Sequence, residues 1–246
     1  MRFENTEVWG FEHAVHGMRN PYESWKQSDS SFGVKIAVTD RTVGSDSIIR
    51  DFGNNIIEYA HIGSHDMARM QVLIKSGSEH RKFMRQIFVS VDVTAPLYFW
   101  KEFDTYKVGT VSNSTSTMHK LASTPITRDC FEMDDFENVQ LPEHFGDNIP
   151  EVSEGFPVKE IWDTIIATCE KLRLAYALTN DEVYWKELIR LLPESWLQKR
   201  TITMNYENVL SMVCQRKCHR LTEWSEMFID WARTLPYADE LLFLRV

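Results

Sequence analysis

The chain has 246 residues and is acidic, with 27 basic and 36 acidic side chains and a formal net charge of -9. Its length and its 43% content of hydrophobic residues are typical of one globular domain with a full core. The charge balance argues against a non-specific binder of duplex DNA, because such proteins carry an excess of Lys and Arg that neutralises phosphates. An anionic ligand would have to meet a local basic cluster.

Neither a membrane span nor a secretion signal is predicted. No apolar run reaches eighteen residues, and the first residues, Met1 to Asn5, lack the charged and then apolar order of a secretion signal. We therefore expect a cytoplasmic protein that does not enter a membrane.

The cysteines are too few and too scattered to predict a disulfide framework. Cys214, Cys218 and the adjacent His219 have helical spacing, which in principle suits a metal. A structural zinc site needs a fourth ligand and usually a second Cys or His pair, so no metal site is predicted. The favoured interpretation of Cys214 is a buried helix residue.

The order of apolar residues predicts a mixture of helices and strands. The part up to about Gly63 shows no clear pattern, and no function is assigned to it. A helix is predicted from Asp66, ending at Gly77, and the alternation of Ile87 to Val93 predicts a strand. Pro96 suits the first turn of a helix from Leu97 to Phe103. A loop and strand are predicted for residues 108–117.

The C-terminal half is predicted to be helical, after an acidic segment. Residues 125–157 are rich in acidic residues and proline, which indicates a surface excursion. Apolar periodicity then predicts helices at Val158 to Leu178, Asp181 to Leu192, Tyr206 to Cys218 and Thr222 to Thr234. The fold class is therefore α+β.

Polar residues gather at a few points of these apolar segments. The hydroxyl-rich stretch Ser112 to Thr117, between Lys107 and Lys120, could cradle a phosphate, although composition alone favours a polar turn. Taken singly, His80 is interpreted as a surface or capping histidine. Arg190 and Arg216 are interpreted as solvated or ion-paired helix residues. No nucleophile elbow, phosphate-binding loop or zinc-protease motif is present.

Taken in order, these residues resemble the flavin-dependent thymidylate synthase family. That family has a Glu-His pair before a strand, an Ala-Pro that opens a helix, an Arg-His-Arg motif followed by a Ser, an Arg before Leu-Pro, and an Asn that begins a helix ending in a substrate-binding Arg. The residues that match are Glu79, His80, Ala95, Pro96, Asn113, Ser116, Arg190, Asn205 and Arg216. The likeness covers residues 66–120 and 158–234 of a single predicted domain, 1–246, with 125–157 as an acidic insertion.

The resemblance implies a central antiparallel or mixed sheet flanked by helices, and a homotetramer that holds FAD between its subunits. It implies that NADPH reduces the flavin and that methylenetetrahydrofolate donates a methylene to dUMP, with no protein nucleophile. Flavin contacts are implied for His80, Tyr106, Lys107, Asn205 and His219. Substrate contacts are implied for Glu102, Asn113, Ser116, Arg190 and Arg216. Arg216 is also the implied catalytic residue, because it would polarise the pyrimidine ring.

The sequence departs from the family in three ways. One is the interval from Lys107 to Ser116, which has eight intervening residues where the family has seven. Thr105, Tyr106 and Lys107 stand where the family has Arg-His-Arg, and Met118 stands where it has a phosphate-contacting Arg. Each lost charge-assisted contact would cost about 2 kcal/mol. Two hypotheses follow: a divergent flavin-dependent enzyme acting on a pyrimidine nucleotide, or a non-catalytic or retasked relative that keeps the fold. A third interpretation, an aromatic interaction surface, is less favoured than core or subunit-interface packing.

Overall fold

The computed structural model describes residues 1–36, 47–51, 56–133, 139 and 158–244. The chain divides into two compact units. The terminal unit comprises residues 2–93, 104–113 and 200–246, and the central unit comprises residue 1 with residues 94–103 and 114–199. Most of the predicted acidic insertion lies outside the described residues, and the prediction of a single domain stays a prediction.

Two sheets are present in the described part of the chain. The four-stranded sheet has the order β1-β5-β7-β6, and the three-stranded sheet has the order β2-β4-β3. In the latter both pairs are antiparallel, with Ser31 opposite His61 and Ser47 opposite Ala60. The strands are β1 Arg2–Trp9, β2 Ser31–Ile36, β3 Ser47–Asp51, β4 Ile56–His61, β5 Phe88–Pro96, β6 Val111–Ser114 and β7 Leu197–Asn205.

Strand β5 confirms the alternation seen in the sequence. Ile87, Val89, Val91 and Val93 are each at most 2% exposed, whereas Phe88 between them is 37% exposed. Because successive side chains of a strand point to opposite faces, one face of β5 joins the core.

The described part of the chain contains the predicted helices and three others. In chain order the helices are α1 Phe11–Arg19, α2 Ser64–Lys75, α3 Leu97–Phe103, α4 Thr117–Lys120, α5 Val158–Thr179, α6 Glu182–Leu191, α7 Tyr206–Arg216, α8 Ile229–Arg233 and α9 Ala238–Leu241. The helices α1, α4 and α9 were not predicted, and the ends of the predicted ones differ slightly from expectation. Gly77 has a φ of 101°, as expected for a glycine just beyond a helix end. No helix among the described residues is long and apolar enough to cross a membrane.

The helical C-terminal half contains two features that periodicity did not predict. Residues Leu197–Asn205 form strand β7, where Ile202 and Met204 are buried and the preceding residues are half-buried or exposed. The predicted helix from Thr222 begins as a π-helix over Glu223–Phe228 and continues as α8. The α+β class is confirmed, with one strand of the main sheet contributed by this half.

A buried ion pair holds the start of the terminal unit together. Asp66 on α2 is fully buried, and Arg19 at the end of α1 donates from Nε to its Oδ1 at 2.7 Å. The hydroxyls of Ser28 and Ser30 donate to the other carboxylate oxygen at 2.6 and 2.7 Å. The buried charge is therefore paired and its lone pairs are hydrogen-bonded.

The central unit has its own apolar core between α5, α6 and the residues after α4. Phe131 packs edge-on against Trp196, with ring centroids 5.4 Å apart. The buried members of this core are Leu121, Ile126, Phe131, Ile166, Cys169 and Leu188. Ile126 and Phe131, at the start of the predicted acidic excursion, thus lie in the core, although their neighbours Thr127 and Asp129 are exposed.

Candidate functional site

Helix α7 in the terminal unit begins with a reciprocal cap. The backbone N–H of Asn208 donates to Oδ1 of Asn205 at 3.0 Å, and the N–H of Asn205 donates to Oδ1 of Asn208 at 3.3 Å. Such a capping box satisfies two of the donors that a helix start leaves unpaired. Asn205, an expected flavin contact, therefore uses its side-chain oxygen to begin α7.

The turn that contains His80 is joined to the same helix end. Arg81 donates from Nε to Glu207 at 3.0 Å, and Arg85 donates to the other oxygen of that carboxylate. Burial acts to raise the pKa of Glu207, but the hydrogen bonds from Arg85 and Arg81 outweigh it, so the pKa is lowered. His80 itself is exposed, next to this anchored arginine.

The loop from Asp104 to Thr110 lies against the first turn of α7. The carbonyl of Val108 accepts a hydrogen bond from Nδ2 of Asn208 at 2.7 Å. Gly109 has a φ of +76°, and a Cβ there would lie 2.9 Å from Nδ2 of Asn205. Both the backbone conformation and the close approach favour glycine at this position.

The last residue of α7, Arg216, is held by an aromatic pair. Its Nε donates to the Tyr106 hydroxyl at 2.9 Å, and that hydroxyl donates to Oε1 of Gln215 at 3.0 Å. The guanidinium carbon lies 5.5 Å from the Tyr106 ring centroid and 4.9 Å from that of Trp224. These distances are those of cation–π contacts.

The π-helix and the turn before it shape this part of the site. Trp224, in the π-helix Glu223–Phe228, is fully buried beneath Arg216 and contacts the His219 ring edge-on at 6.5 Å. The Nδ1 of His219 accepts the backbone N–H of Leu221 at 3.2 Å. Single turns of π-helix are frequent at functional sites, because they redirect side chains within a helix.

The structure thus places one part of the predicted site along α7. The turn with His80, the loop with Tyr106 and Lys107, and Asn205, Arg216 and His219 all lie on or next to α7 in the terminal unit. The arrangement offers a fixed, half-buried guanidinium with histidine and lysine side chains in the same segments. Such a site suits a ligand that carries negative charge or develops it.

The remaining predicted residues lie on other elements of the chain. Glu102 on α3, Ser116 before α4 and Arg190 on α6 belong to the central unit, and Asn113 is exposed on β6. Arg190 forms an ion pair with Glu187 on its own helix, with both side chains about half exposed. Their substrate roles remain predictions.

Several outcomes differ from the sequence interpretation. Cys214, interpreted as buried, is exposed, as is Cys218, because the buried face of α7 is formed by Val209, Met212 and Val213. Gln215 was not singled out, and Trp224 was considered only as an aromatic of the core, a subunit interface or an interaction surface, although both contact the Arg216 assembly. No local motif marks them, since the aromatic pair forms only when distant segments meet.

A separate cavity of about 780 Å³ lies in the terminal unit beside the start of α2. Asp29 accepts the N–H groups of His65 and Asp66 there, at 2.9 and 3.0 Å, so the positive end of α2 is already neutralised. Burial acts to raise the pKa of Asp29, but these hydrogen bonds lower it overall. None of the predicted site residues lines this cavity.

The fold is that of the flavin-dependent thymidylate synthases. Two crystal structures of the thymidylate synthase ThyX of Helicobacter pylori, each with FAD and dUMP, match 99% of this chain and 98% of their own. The TM-scores are 0.60 and 0.61, at 13% and 12% sequence identity. No protein-family profile and no curated protein matches the sequence. The likeness therefore lies in the fold.

Proposed function

We propose that this protein is a flavin-dependent enzyme of the thymidylate synthase type, which methylates dUMP or a related pyrimidine nucleotide. The supporting observation is that the His80 turn is joined to the first turn of α7 and that Tyr106 holds Arg216 at its last residue, within a fold matched over 99% of the chain. Methylenetetrahydrofolate would supply the carbon and NADPH the reducing equivalents. The working form would be a cytoplasmic homotetramer.

The residues around α7 fit a flavin. Thr110 follows Gly109, which lies close to the start of α7. Its hydroxyl oxygen is buried and has no hydrogen-bond partner among the described residues. A buried hydroxyl without a partner is costly, and a polar ligand atom would satisfy it. His80, Tyr106, Lys107, Asn205 and His219 would hold the group, which when bound supplies the redox chemistry.

Arg216 has the properties required of the substrate arginine. Its guanidinium is a planar cation with several donors, and its Nε bond to Tyr106 restricts its orientation. A fixed cation in a partly buried site stabilises negative charge that develops on a pyrimidine oxygen. Because this interaction strengthens as charge develops, it would contribute to the rate as well as to binding.

The other substrate contacts would come from Glu102, Asn113, Ser116 and Arg190. Arg190 would exchange its bond to Glu187 for the ligand. Since an exposed ion pair contributes about 0–1 kcal/mol, that exchange costs little. Ser116 would meet the nucleotide phosphate, where a neutral hydroxyl gives a weaker contact than an arginine.

A titration of the purified protein with FAD tests the proposal. We expect a protein-bound flavin band that bleaches with NADPH, and conversion of dUMP to dTMP when methylenetetrahydrofolate is added. Arg216→Lys should abolish most of the conversion, whereas Arg233→Lys, which alters an exposed arginine paired with Asp239, should retain it. Colourless protein that forms no dTMP would overturn the enzyme assignment. Binding of dUMP without conversion would support the non-catalytic alternative.

A further inference from the structure

We infer that Tyr106 is a positioning residue, whose hydroxyl holds Arg216 in the orientation that meets the substrate. The inference rests on the proposed function for the identity of the ligand. By resemblance Tyr106 stands at the centre of an Arg-His-Arg motif and would contact the flavin. Its hydroxyl has a further role, because it contacts Arg216 and Gln215 in the terminal unit.

The hydroxyl of Tyr106 stands in the middle of a directed chain of hydrogen bonds. It accepts from Nε of Arg216 at 2.9 Å and donates to Oε1 of Gln215 at 3.0 Å. The Nε2 of Gln215 donates in turn to the Ser211 hydroxyl at 3.1 Å. The amide orientation of Gln215 is thereby set, so the lone pair of the phenol oxygen is directed at the arginine.

The rings on either side restrict the guanidinium further. Its carbon is 5.5 Å from the Tyr106 centroid and 4.9 Å from that of Trp224, while the two rings are 6.3 Å apart. Trp224 is fully buried, so its side of the assembly is rigid. A free arginine side chain has many rotamers, and prior ordering by these contacts removes that entropic cost from ligand binding.

The position of Tyr106 is itself anchored by the loop around it. Asp104 pairs with Arg200 at 2.7 Å, and the Val108 carbonyl accepts from Asn208 at 2.7 Å. Gly109 permits the close approach to the start of α7. The loop thus joins both ends of α7, and Tyr106 makes the contact at the end that carries Arg216.

Two measurements on the full chain test the inference, with Tyr106→Phe as the variant. It removes the hydroxyl and keeps the ring, and Tyr22→Phe is the matched control because Tyr22 is 81% exposed. The first measurement is the dissociation constant for dUMP by calorimetry. The second is the rate at which phenylglyoxal modifies Arg216, followed by peptide mass spectrometry with Arg190 as internal reference.

We expect Tyr106→Phe to weaken dUMP binding about tenfold, which corresponds to the loss of one hydrogen bond to a charged group. Arg216 should be modified several-fold faster, with Arg190 and the unfolding temperature unchanged. Gln215→Ala should have a smaller effect in the same direction, because the hydroxyl remains but is free to rotate.

The outcomes separate this inference from the proposed function. If the wild-type protein binds no dUMP, the proposed function fails and the modification rate alone decides whether Tyr106 holds Arg216. Faster modification of Arg216 without weaker dUMP binding would overturn the positioning role. Weaker dUMP binding without faster modification would also overturn it, because the hydroxyl would then contact the nucleotide directly. Equal behaviour of Tyr106→Phe and Tyr22→Phe in both measurements would also overturn it.

Discussion

Asn205 and Asn208 cap helix α7 reciprocally, with each side-chain oxygen accepting the other residue's backbone N–H, at 3.0 and 3.3 Å. This cap lies at the opposite end of the helix from Arg216. Because Asn205 is also an expected flavin contact, its two side-chain atoms have separable roles. The oxygen begins the helix, and we expect the amide nitrogen to be the group that meets a ligand.

Replacement of Asn205 should separate stability from binding. Asn205→Ala removes the cap acceptor and should lower the free energy of unfolding by about 1 kcal/mol. Asn205→Asp keeps an acceptor at the cap and should retain nearly all of the stability, while it loses the amide donor and weakens FAD binding. Thermal unfolding at fixed protein concentration and a flavin titration measure the two effects. Equal flavin affinity in wild type and Asn205→Asp would exclude the amide as a contact.

Removal of the buried charge of Asp66 should be among the most destabilising single changes. Asp66→Asn leaves Arg19, which is 3% exposed, without its anion, and loss of one partner of a buried pair costs about 3–5 kcal/mol. Asp239→Asn, which breaks the exposed pair with Arg233, is the matched control and should change stability little. Urea unfolding compares the two. Similar midpoints for both variants would contradict the assigned role of the buried pair.

The Glu207 carboxylate should make stability depend on pH in the acid range. Burial raises its pKa, but the hydrogen bonds from Arg85 and Arg81 lower it below the ordinary 4.5. A lowered folded-state pKa means that the contribution is fully present above 4.5 and is lost as the pH falls through the folded value.

Glu207→Gln should therefore be less stable than wild type at neutral pH, with a difference that shrinks on acidification. The exposed Glu12→Gln is the control for the loss of one carboxylate without an arginine pair among the described contacts. Chemical unfolding over a pH series provides the measurement. A stability difference between wild type and Glu207→Gln that stays constant or grows as the pH falls would contradict the interpretation.

Two glycines with positive φ allow backbone strain to be separated from close contact. Gly77→Ala, at φ +101° with no atom within 4 Å of the new Cβ, should cost only the left-handed conformation, about 1–2 kcal/mol. Gly109→Ala, at φ +76°, adds a Cβ at 2.9 Å from Asn205 and should cost more. Because Gly109 belongs to the loop of Tyr106, Gly109→Ala should also weaken dUMP binding. Equal unfolding temperatures and equal dUMP affinities for the two variants would show that the close contact of Gly109 with Asn205 affects neither stability nor binding.

The sequence predicted those elements whose patterns are local. The apolar spacing around α2 and the alternation of Ile87 to Val93 each reflect one face buried in a core, and the structure confirms both. Strand β7 escaped prediction, because Gln198, Lys199 and Arg200 offer no clear alternation and only Ile202 and Met204 face the core. Pairing with its neighbours in the sheet stabilises β7 as a strand, although its own residues do not indicate one.

The sequence by itself determined the α+β class and the order of the residues on which the family resemblance rests. Only the tertiary structure decided how they combine: Tyr106 and Arg216 are 110 positions apart, and Arg81 and Glu207 are 126 apart. The physical reason is the range of the forces involved. Helix and strand periods follow from steric and hydrophobic effects over a few residues, whereas contacts between distant segments form only when packing of the whole core offsets the entropy of closing the chain.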